Sequence, residues 1–534
     1  MHALIFTGMP RNNKNHLEHH RAAGAYRLAT YLRRQGWDIE ILDFLESWTL
    51  EELKEYAQSR VSSKTQWVGF GATFPVWNPV IAEFLAWIKT TWPQITIIAG
   101  GAQSHMYRGA DWYVYGFGER AVEALLKHLA GTLTEPLKYR LGPNGKKAIY
   151  GNSDYPSYPM ADLSIVYEDR DFIKVNETLV TELGRGCRFK CSFCNFPILG
   201  VKEDHTRSAD NFRDELQRNY DNWGVTNYML ADETVNDYTE KLIKFSNAVD
   251  QLNFRPTLNG FARADLLVSR PQDWDIMIQM GFVGHHYGIE STNPETLKLI
   301  GKGMHPDRLL PGLLAARQHF KSHSLYRATM SFIVGLPKET PETWQKTKMW
   351  ILKNWKGDGS VTYPLFIPAE GETQTPSLLT EHWSKYGYRK LDTDYFDQVN
   401  QYIKDNGSTK KLQDSIYLTA DLSSKDSGMN WENEHWSRLS ATVEVGNWLH
   451  TYQDYNTPDI WSIGQWLLAT NRPRDFFNDK NNKEIQGEFY RSTGLIADAK
   501  HDVVTKEYIL NKLNWQNGSG TSAPIKIKKS DSWV

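Results

Sequence analysis

Short apolar runs alternate with longer stretches whose apolar residues recur every three or four positions, from Leu4 to Asn354. Runs of that kind predict buried strands, and the stretches with helical spacing predict amphipathic helices. In the first 135 residues, strands are expected at 4–8, 39–43, 67–73, 95–101 and 112–116. Helices are expected at 22–35, 50–57, 79–91 and 119–130. This order predicts a parallel, doubly wound α/β sheet of the Rossmann-like kind, whose ligands bind beyond the carboxyl ends of the strands. Gly8, Thr73, Gly100, Gly101 and Gly116 fall at those ends. Tight turns between strand and helix need glycine whatever is bound, so glycine alone does not announce a ligand.

Residues 136–175 are rich in Pro, Tyr, Asp and Gly and read as an extended linker. The alternation then resumes. Strands are expected at 178–183, 227–230, 256–260, 282–289 and 326–334, and a sixth within 363–373. Helices are expected at 209–222, 238–252, 271–280, 294–300, 307–319 and 340–354. Repeated βα units over 176–375 predict an open, six-stranded relative of the (β/α)8 barrel, with functional groups at the carboxyl ends of its strands. Residues 376–534 form the expected C-terminal region, in which no motif is found beyond Tyr388. Trp436 to Thr470 reads as helical, the whole region as a mostly helical cap, and Ser519 to Ser530 as a loose tail.

Composition changes this picture little. The chain of 534 residues is 40% hydrophobic and 23% charged with net charge −2, which argues against wholesale electrostatic capture of nucleic acid. The 20 Trp, 26 Tyr and 22 Phe are spread along the chain, which favours an aromatic-rich core and surface over one stacking platform. Met1–Met9 is too short an apolar run for a signal peptide, and no run reaches the length of a membrane span. With three cysteines in one stretch, a reducing, cytoplasmic setting is expected.

That stretch, Gly184 to Asn195, holds Cys187, Cys191 and Cys194 in the spacing C-x3-C-x2-C. Three thiolates on one short loop can take three corners of a cubane iron–sulfur cluster, leaving the fourth iron without a protein ligand. A zinc site usually takes four ligands in paired spacings; only His205 offers a fourth here. The cysteine stretch resembles that of the radical S-adenosylmethionine (SAM) enzymes. In that family the open iron is chelated by the SAM amino and carboxylate groups, and the reduced cluster splits SAM into methionine and a 5′-deoxyadenosyl radical.

The resemblance extends along the expected barrel. Phe193 matches the aromatic that packs near the SAM adenine. Asp232 and Glu233 follow the second barrel strand, where an acid holds the SAM ammonium. Arg263 follows the third and suits a carboxylate. Glu290 and Ser291 end the fourth, where a carboxylate takes the ribose hydroxyls, and Gly335 ends the fifth, near adenine. The resemblance implies a 4Fe–4S cluster, SAM and a reductant such as flavodoxin or ferredoxin. The substrate is left as a small molecule, nucleotide or peptide. Lys302 is read as a solvated lysine, with an anion-facing role as the alternative.

The front domain resembles the cobalamin-binding domain that precedes the barrel in one radical SAM subgroup. Ala23-Gly24, Asp43, Gly100-Gly101, and Asp111 through Gly116 to Glu119 carry this resemblance. It implies cobalamin as a candidate further cofactor, held near Gly8, Thr73, Gly100, Gly101, Gly116 and Glu119, and methylation of an unactivated carbon as the reaction. The usual cobalt-ligating motif D-x-H-x-x-G is absent, and His16, His19 and His20 do not replace its spacing. A vestigial front domain with another radical reaction, or a non-catalytic binding protein, are the alternatives. With no fourth cysteine there is no methyl-carrying thiol and no ligand set for an auxiliary cluster, which disfavours methylthiolation and two-cysteine RNA methylation.

Overall fold

The computed structural model describes residues 2–7, 21–71, 79–386 and 508–515, apart from 102–103, 105–106, 108, 142–144, 156–161, 175–176, 197, 325, 335, 340, 356–357 and 365–376. Two sheets organise the described residues, a seven-stranded one of order β2-β1-β3-β4-β5-β7-β6 and a six-stranded one of order β13-β12-β11-β10-β9-β8.

The first sheet is built from β1 (His2–Phe6), α1 (Ala23–Arg33), β2 (Asp38–Leu42), α2 (Leu50–Arg60), β3 (Thr65–Gly71), α3 (Pro79–Thr91), β4 (Thr96–Gly100), β5 (Trp112–Tyr115), α4 (Glu119–Leu129), β6 (Arg140–Leu141) and β7 (Lys147–Tyr150). Strands β1 to β5 and β7 run parallel, and β6 is antiparallel to β7. The chain moves outward from β1 to β2 and then returns past it to β3, so the connections diverge between β1 and β3. A crevice opens at such a switch point. The strands are near-continuous apolar runs because helices cover both faces of the sheet.

The expected linker differs from its reading. Its Lys147–Tyr150 segment pairs with β5, because Ala148 and Ile149 are apolar enough to extend the sheet. The segment beyond it is stitched to both neighbours. Val166 N donates to Thr30 Oγ1 on α1 (2.9 Å), while Ile165 N donates to Glu215 Oε2 (2.9 Å) and Leu163 N to Asn211 Oδ1 (3.2 Å). Tyr167 packs between Tyr26 and Trp223, with ring centroids 4.8 and 6.2 Å away. An extended backbone cannot satisfy itself, so side chains of the flanking helices take its donors.

The second sheet comprises β8 (Thr178–Thr181), α5 (Ala209–Trp223), β9 (Asn227–Leu230), α6 (Thr239–Val249), β10 (Thr257–Arg263), α7 (Ala264–Ser269), α8 (Asp273–Met280), β11 (Phe282–Glu290), α9 (Pro294–Ile300), α10 (Pro306–His323), β12 (Arg327–Val334), α11 (Pro341–Asn354) and β13 (Gly359–Pro364). All its pairs are parallel, which makes it the open partial barrel expected. Strand β10 runs three residues beyond its expected end, and α7 follows without a loop; Ala264 and Leu267 are buried and hold that turn against the core. One apolar core joins the barrel to the α1 and α4 face of the first sheet.

Two short pieces complete the described structure: α12 (Leu378–Glu381) and a helix over 508–514. The latter docks on the first sheet. Tyr508 Oη accepts from Asp43 N (2.9 Å), and the buried Lys512 Nζ lies 3.8 Å from Glu40 Oε1. The expected helix at 436–470 and the tail at 519–530 lie outside the described residues.

Candidate active site

The cysteine loop leaves β8 at the carboxyl edge of the second sheet and is tied on several sides. Arg207 N donates to Leu183 O (2.8 Å) and Arg185 N to His205 O (3.1 Å). Cys187 N donates to Ile198 O (3.0 Å), Ser192 N to Ile300 O at the end of α9 (3.0 Å), and Leu379 N to Ser192 O (2.7 Å). Gly186 has φ +118°, and a Cβ there would stand 2.9 Å from Val201 Cγ2, so the turn requires glycine.

Cys187 and Cys191 are buried and Cys194 is half-buried. Burial pushes the Cys194 thiol up to about 11, and Cys191, Cys187 and the Glu290 carboxylate push the same way. Burial also raises Cys187, with Cys191 adding to it. Thiols that oppose one another's ionisation are held as thiolates by bound metal, whose charge inverts that balance. The donor set fits a cluster with three protein ligands. Among the described residues no three His, Cys, Asp or Glu groups are gathered as a single ion requires. The Nε2 atom of His205 lies 3.0 Å from Asp237 Oδ2.

The structure places the other expected residues around this loop in different ways. Asp232 is a buried strut. Its Oδ2 accepts from Leu183 N (2.7 Å), and its Oδ1 lies 3.1 Å from Lys241 Nζ, which also donates to Thr234 O (2.9 Å). Glu233 Oε2 accepts from Gly186 N (3.1 Å), directly under the loop. Burial and then the neighbouring Asp232 push the Glu233 carboxyl up to about 8. Arg263 Nη1 donates to Cys191 Sγ (3.2 Å), its other edge grips Asp265 (3.0 and 2.6 Å), and its plane lies 3.8 Å from the Phe189 ring centre. That clamp fixes the guanidinium beside the cysteines.

Glu290 is buried with φ +67°, which costs a non-glycine residue energy and is held by its surroundings. Lys302 Nζ lies 3.2 Å from Glu290 Oε1 and donates to Gly288 O (2.9 Å). Lys302 is therefore a buried partner of Glu290, against its reading as solvated. The cause is local: Asn293 caps α9, and Gly301 at φ +80° ends it, so the chain turns Lys302 back under β11. Ser291 faces away from this group, donating to Glu339 and accepting from Asn293 N (2.9 Å). Phe193 packs beside Ile333 and Tyr386 on a small core of Leu297, Ile300, Leu336 and Leu379. Gly335 lies outside the described residues.

A separate cleft of about 770 Å³, its open mouth included, lies at the carboxyl ends of β1, β3, β4 and β5. Gly100, Gly101, Gly116 and Glu119 line it, as does Arg185 of the cysteine loop; Gly8 and Thr73 lie outside the described residues. Gly116 is needed by its own turn, since φ is +74° and a Cβ would meet Gly151 O at 2.7 Å. Gly24 is different. A Cβ there meets nothing within 4 Å, so a side chain would stand in the cleft. Glu119 Oε2 is buried there without a hydrogen-bond partner. An open wall of glycines with an unsatisfied acceptor fits a large polar-edged cofactor such as a corrinoid.

Glu119 also joins the cleft to the loop. Arg185 Nη1 lies 2.8 Å from Glu119 Oε1, Arg185 Nη2 donates to Glu182 Oε1 (2.8 Å), and Arg27 Nε lies 4.0 Å from Glu119 and 3.9 Å from Glu182. Sequence reasoning assigned no role to Arg185, Arg27 or Lys241. Arg185 stands inside the cysteine stretch, between two glycines, and that position was its only signal.

A partial parallel barrel with a three-cysteine loop at its carboxyl edge defines a class. Residues 181–351 match the model of the radical SAM superfamily. That family uses a 4Fe–4S cluster and SAM. An uncharacterized methyltransferase of Pyrococcus horikoshii is 26% identical over 211 residues, 39% of this chain and 44% of that protein. The chain spans about half the length of the curated relatives it matches. Two solved structures share the fold. The cobalamin-dependent SAM radical enzyme OxsB, with aqua-cobalamin and SAM bound, covers 96% of this chain and 84% of its own (TM-score 0.51, 13% identity). The radical SAM methyltransferase TsrM from Kitasatospora setae, with cobalamin and a [4Fe–4S] cluster bound, covers 73% and 79% (TM-score 0.53, 16% identity). Among the described residues no helix is long and apolar enough to cross a membrane.

Proposed function

We propose that this protein is a cobalamin-dependent radical SAM methyltransferase acting on an unactivated carbon. One observation carries the reading: Glu233 holds Gly186 of the cysteine loop, Arg263 holds Cys191, the Glu290–Lys302 pair stands at the same barrel edge, and Arg185 links that edge to the glycine-walled cleft. Cys187, Cys191 and Cys194 would hold the cluster. Glu233 and Arg263 would take the SAM ammonium and carboxylate, Glu290 the ribose hydroxyls, and Phe193 and Gly335 the adenine. Gly24, Gly100, Gly101, Gly116 and Glu119 would line the corrinoid. Bound cluster and SAM supply a 5′-deoxyadenosyl radical, and cobalamin supplies the methyl group, with electrons from an external reductant such as flavodoxin or ferredoxin.

The chain's own part is positioning and exclusion of water. Asp265 and Phe189 orient Arg263, Lys302 orients Glu290, and Asp232 with Lys241 fixes the entry of the loop. Phe193 of the loop packs on the apolar group of Leu297, Ile300, Leu336 and Leu379.

The test is anaerobic purification from cobalamin-fed cells followed by iron and sulfide reconstitution. The expected result is about four irons per chain, a co-purifying corrinoid and 5′-deoxyadenosine from SAM, with iron and cleavage lost in Cys191→Ala. A colourless protein indifferent to SAM overturns the enzyme reading. Iron and cleavage without any corrinoid, even at excess, overturn methyl transfer and leave the front domain a scaffold.

A further inference from the structure

The inner face of the barrel carries a row of side chains with no part in the cysteine site. Strand register aligns Phe261 on β10 with His286 on β11, and His286 with Thr329 on β12. One step further along, the same strands align Arg263, Gly288 and Ser331. Side chains two apart share a face, and two residues rise about 6.6 Å. The Phe261 row thus lies one layer beneath Arg263, which touches Cys191 Sγ at 3.2 Å. The alternate residues Tyr287 and His285 face outward, packed with Tyr326 and Phe320 under α10.

This row is unusual for a barrel interior. Phe261 is 36% exposed although it sits mid-strand. Its ring centre is 5.0 Å from that of His286, tilted by 56°. Burial alone pushes the His286 imidazole down to about 4, with no charged group contributing, so the ring is neutral at pH 7, with one donor and one acceptor nitrogen. Thr329 is 0% exposed and its Oγ1 has no hydrogen-bond partner; one layer below, Asn259 Oδ1 is also buried and unpartnered. Each such orphan costs free energy unless something satisfies it. Beside Asn259 the register places Gly284, and beyond it the buried Arg327.

We propose that Phe261, His286 and Thr329 form the substrate floor of the barrel and select an uncharged planar ring, its face on Phe261 and its polar edge on His286. The inference rests on the radical SAM reading, since it takes this row as facing the radical. Ring stacking favours a flat occupant; the row itself carries no ionised group, and the Arg263 cation in the layer above is already paired with Asp265, which disfavours a charged one.

The test uses the full-length protein and a matched pair of probes, phenol and cyclohexanol, with dissociation constants read by saturation-transfer NMR. The two share a hydroxyl and differ in planarity. Wild type is expected to bind phenol about five-fold or more tightly than cyclohexanol. Phe261→Leu and His286→Phe should each weaken phenol by about three- to ten-fold. His286→Gln, which keeps a hydrogen-bonding edge, should stay within about two-fold of wild type. Tyr287→Phe on the opposite face should change nothing. Circular dichroism and the thermal transition report that each variant has folded, and iron content after reconstitution is read separately. Equal binding of the two probes, phenol binding indifferent to Phe261→Leu and His286→Phe, or no phenol binding by wild type overturns the proposal. If the phenol pattern holds but wild type takes up no iron, the radical reading fails instead.

Discussion

Replacing Glu119 by glutamine breaks the joint between the front cleft and the cysteine loop. Arg27, Glu119, Glu182 and Arg185 form a set with two positive and two negative charges, and Arg27, Glu119 and Arg185 are buried. Burial alone would push the Glu119 carboxyl up; Arg185 and then Arg27 more than offset it and hold it below the usual carboxylate range. At an effective dielectric of about 20, a contact at the Glu119–Arg185 distance is worth roughly 6 kcal/mol before desolvation, and one at the Glu119–Arg27 distance roughly 4 kcal/mol. Desolvation cancels most of this, but removing one member of a buried set leaves an uncompensated charge and costs about 3–5 kcal/mol. For a domain of about 150–250 residues, each kcal/mol moves Tm by about 2–4 °C, so Glu119→Gln should lower the front domain's transition by about 6–20 °C at pH 7. Calorimetry reads the shift, and hydrogen exchange should rise together in 22–30 and 183–190. Because the folded pKa is depressed, the carboxylate's contribution is present above its unfolded pKa and fades as pH falls through the folded value; the gap between the proteins should close in acid. The double variant Glu119→Met with Arg185→Met leaves Arg27 facing Glu182, a balanced pair, so it should cost less than the sum of its parts. A Glu119→Gln shift under about 2 °C, or strict additivity, would refute the reasoning.

Three further outcomes follow from the same geometry. Gly24→Leu should leave Tm unchanged or higher, since a helical glycine costs about 1 kcal/mol and its Cβ meets nothing, yet abolish corrinoid co-purification; retained corrinoid contradicts the cleft assignment. Burial pushes the Asp43 carboxyl up to about 7, with Arg21 opposing, so the folded state keeps a proton that the unfolded chain releases near pH 4. Stability from this group falls with pH up to about 7 and is flat above. The stability of Asp43→Asn relative to wild type should therefore rise by about 2–3 kcal/mol from pH 5 to pH 8, and denaturation showing a flat or opposite trend refutes it. Lys302→Met removes the partner of Glu290 and should raise the SAM KM on the order of ten-fold with iron content unchanged; an unchanged KM removes Glu290 from the SAM site.

Much of the fold was legible because its signals are local. Helix Pro79–Thr91, strand Asn227–Leu230 and helix Pro294–Ile300 begin and end where periodicity and cap residues put them. The 136–175 segment misled because its Pro and Gly content describes a chain without regular bonds of its own, while its order comes from Glu215, Asn211 and Thr30, distant in sequence. The cysteines were legible as a spacing, and Glu233, Arg263 and Glu290 as strand ends. The pairing of Lys302 with Glu290, the strut of Lys241 beneath Asp232, and the Arg185–Glu119 joint were not. Each is a side-chain contact set by how α9, α6 and α4 pack, which no local pattern encodes. The inner row was hidden for the same reason: Phe261, His286 and Thr329 become neighbours only through strand register.

A cluster held by Cys187, Cys191 and Cys194 would leave its fourth iron open for SAM. Mössbauer spectroscopy of the reconstituted 57Fe protein, with and without SAM, tests it most directly. SAM is expected to change the parameters of about one quarter of the iron, the one site without a thiolate, and Cys191→Ala to abolish the cubane signal. A spectrum unmoved by saturating SAM, or iron bound equally well without Cys191, would contradict it.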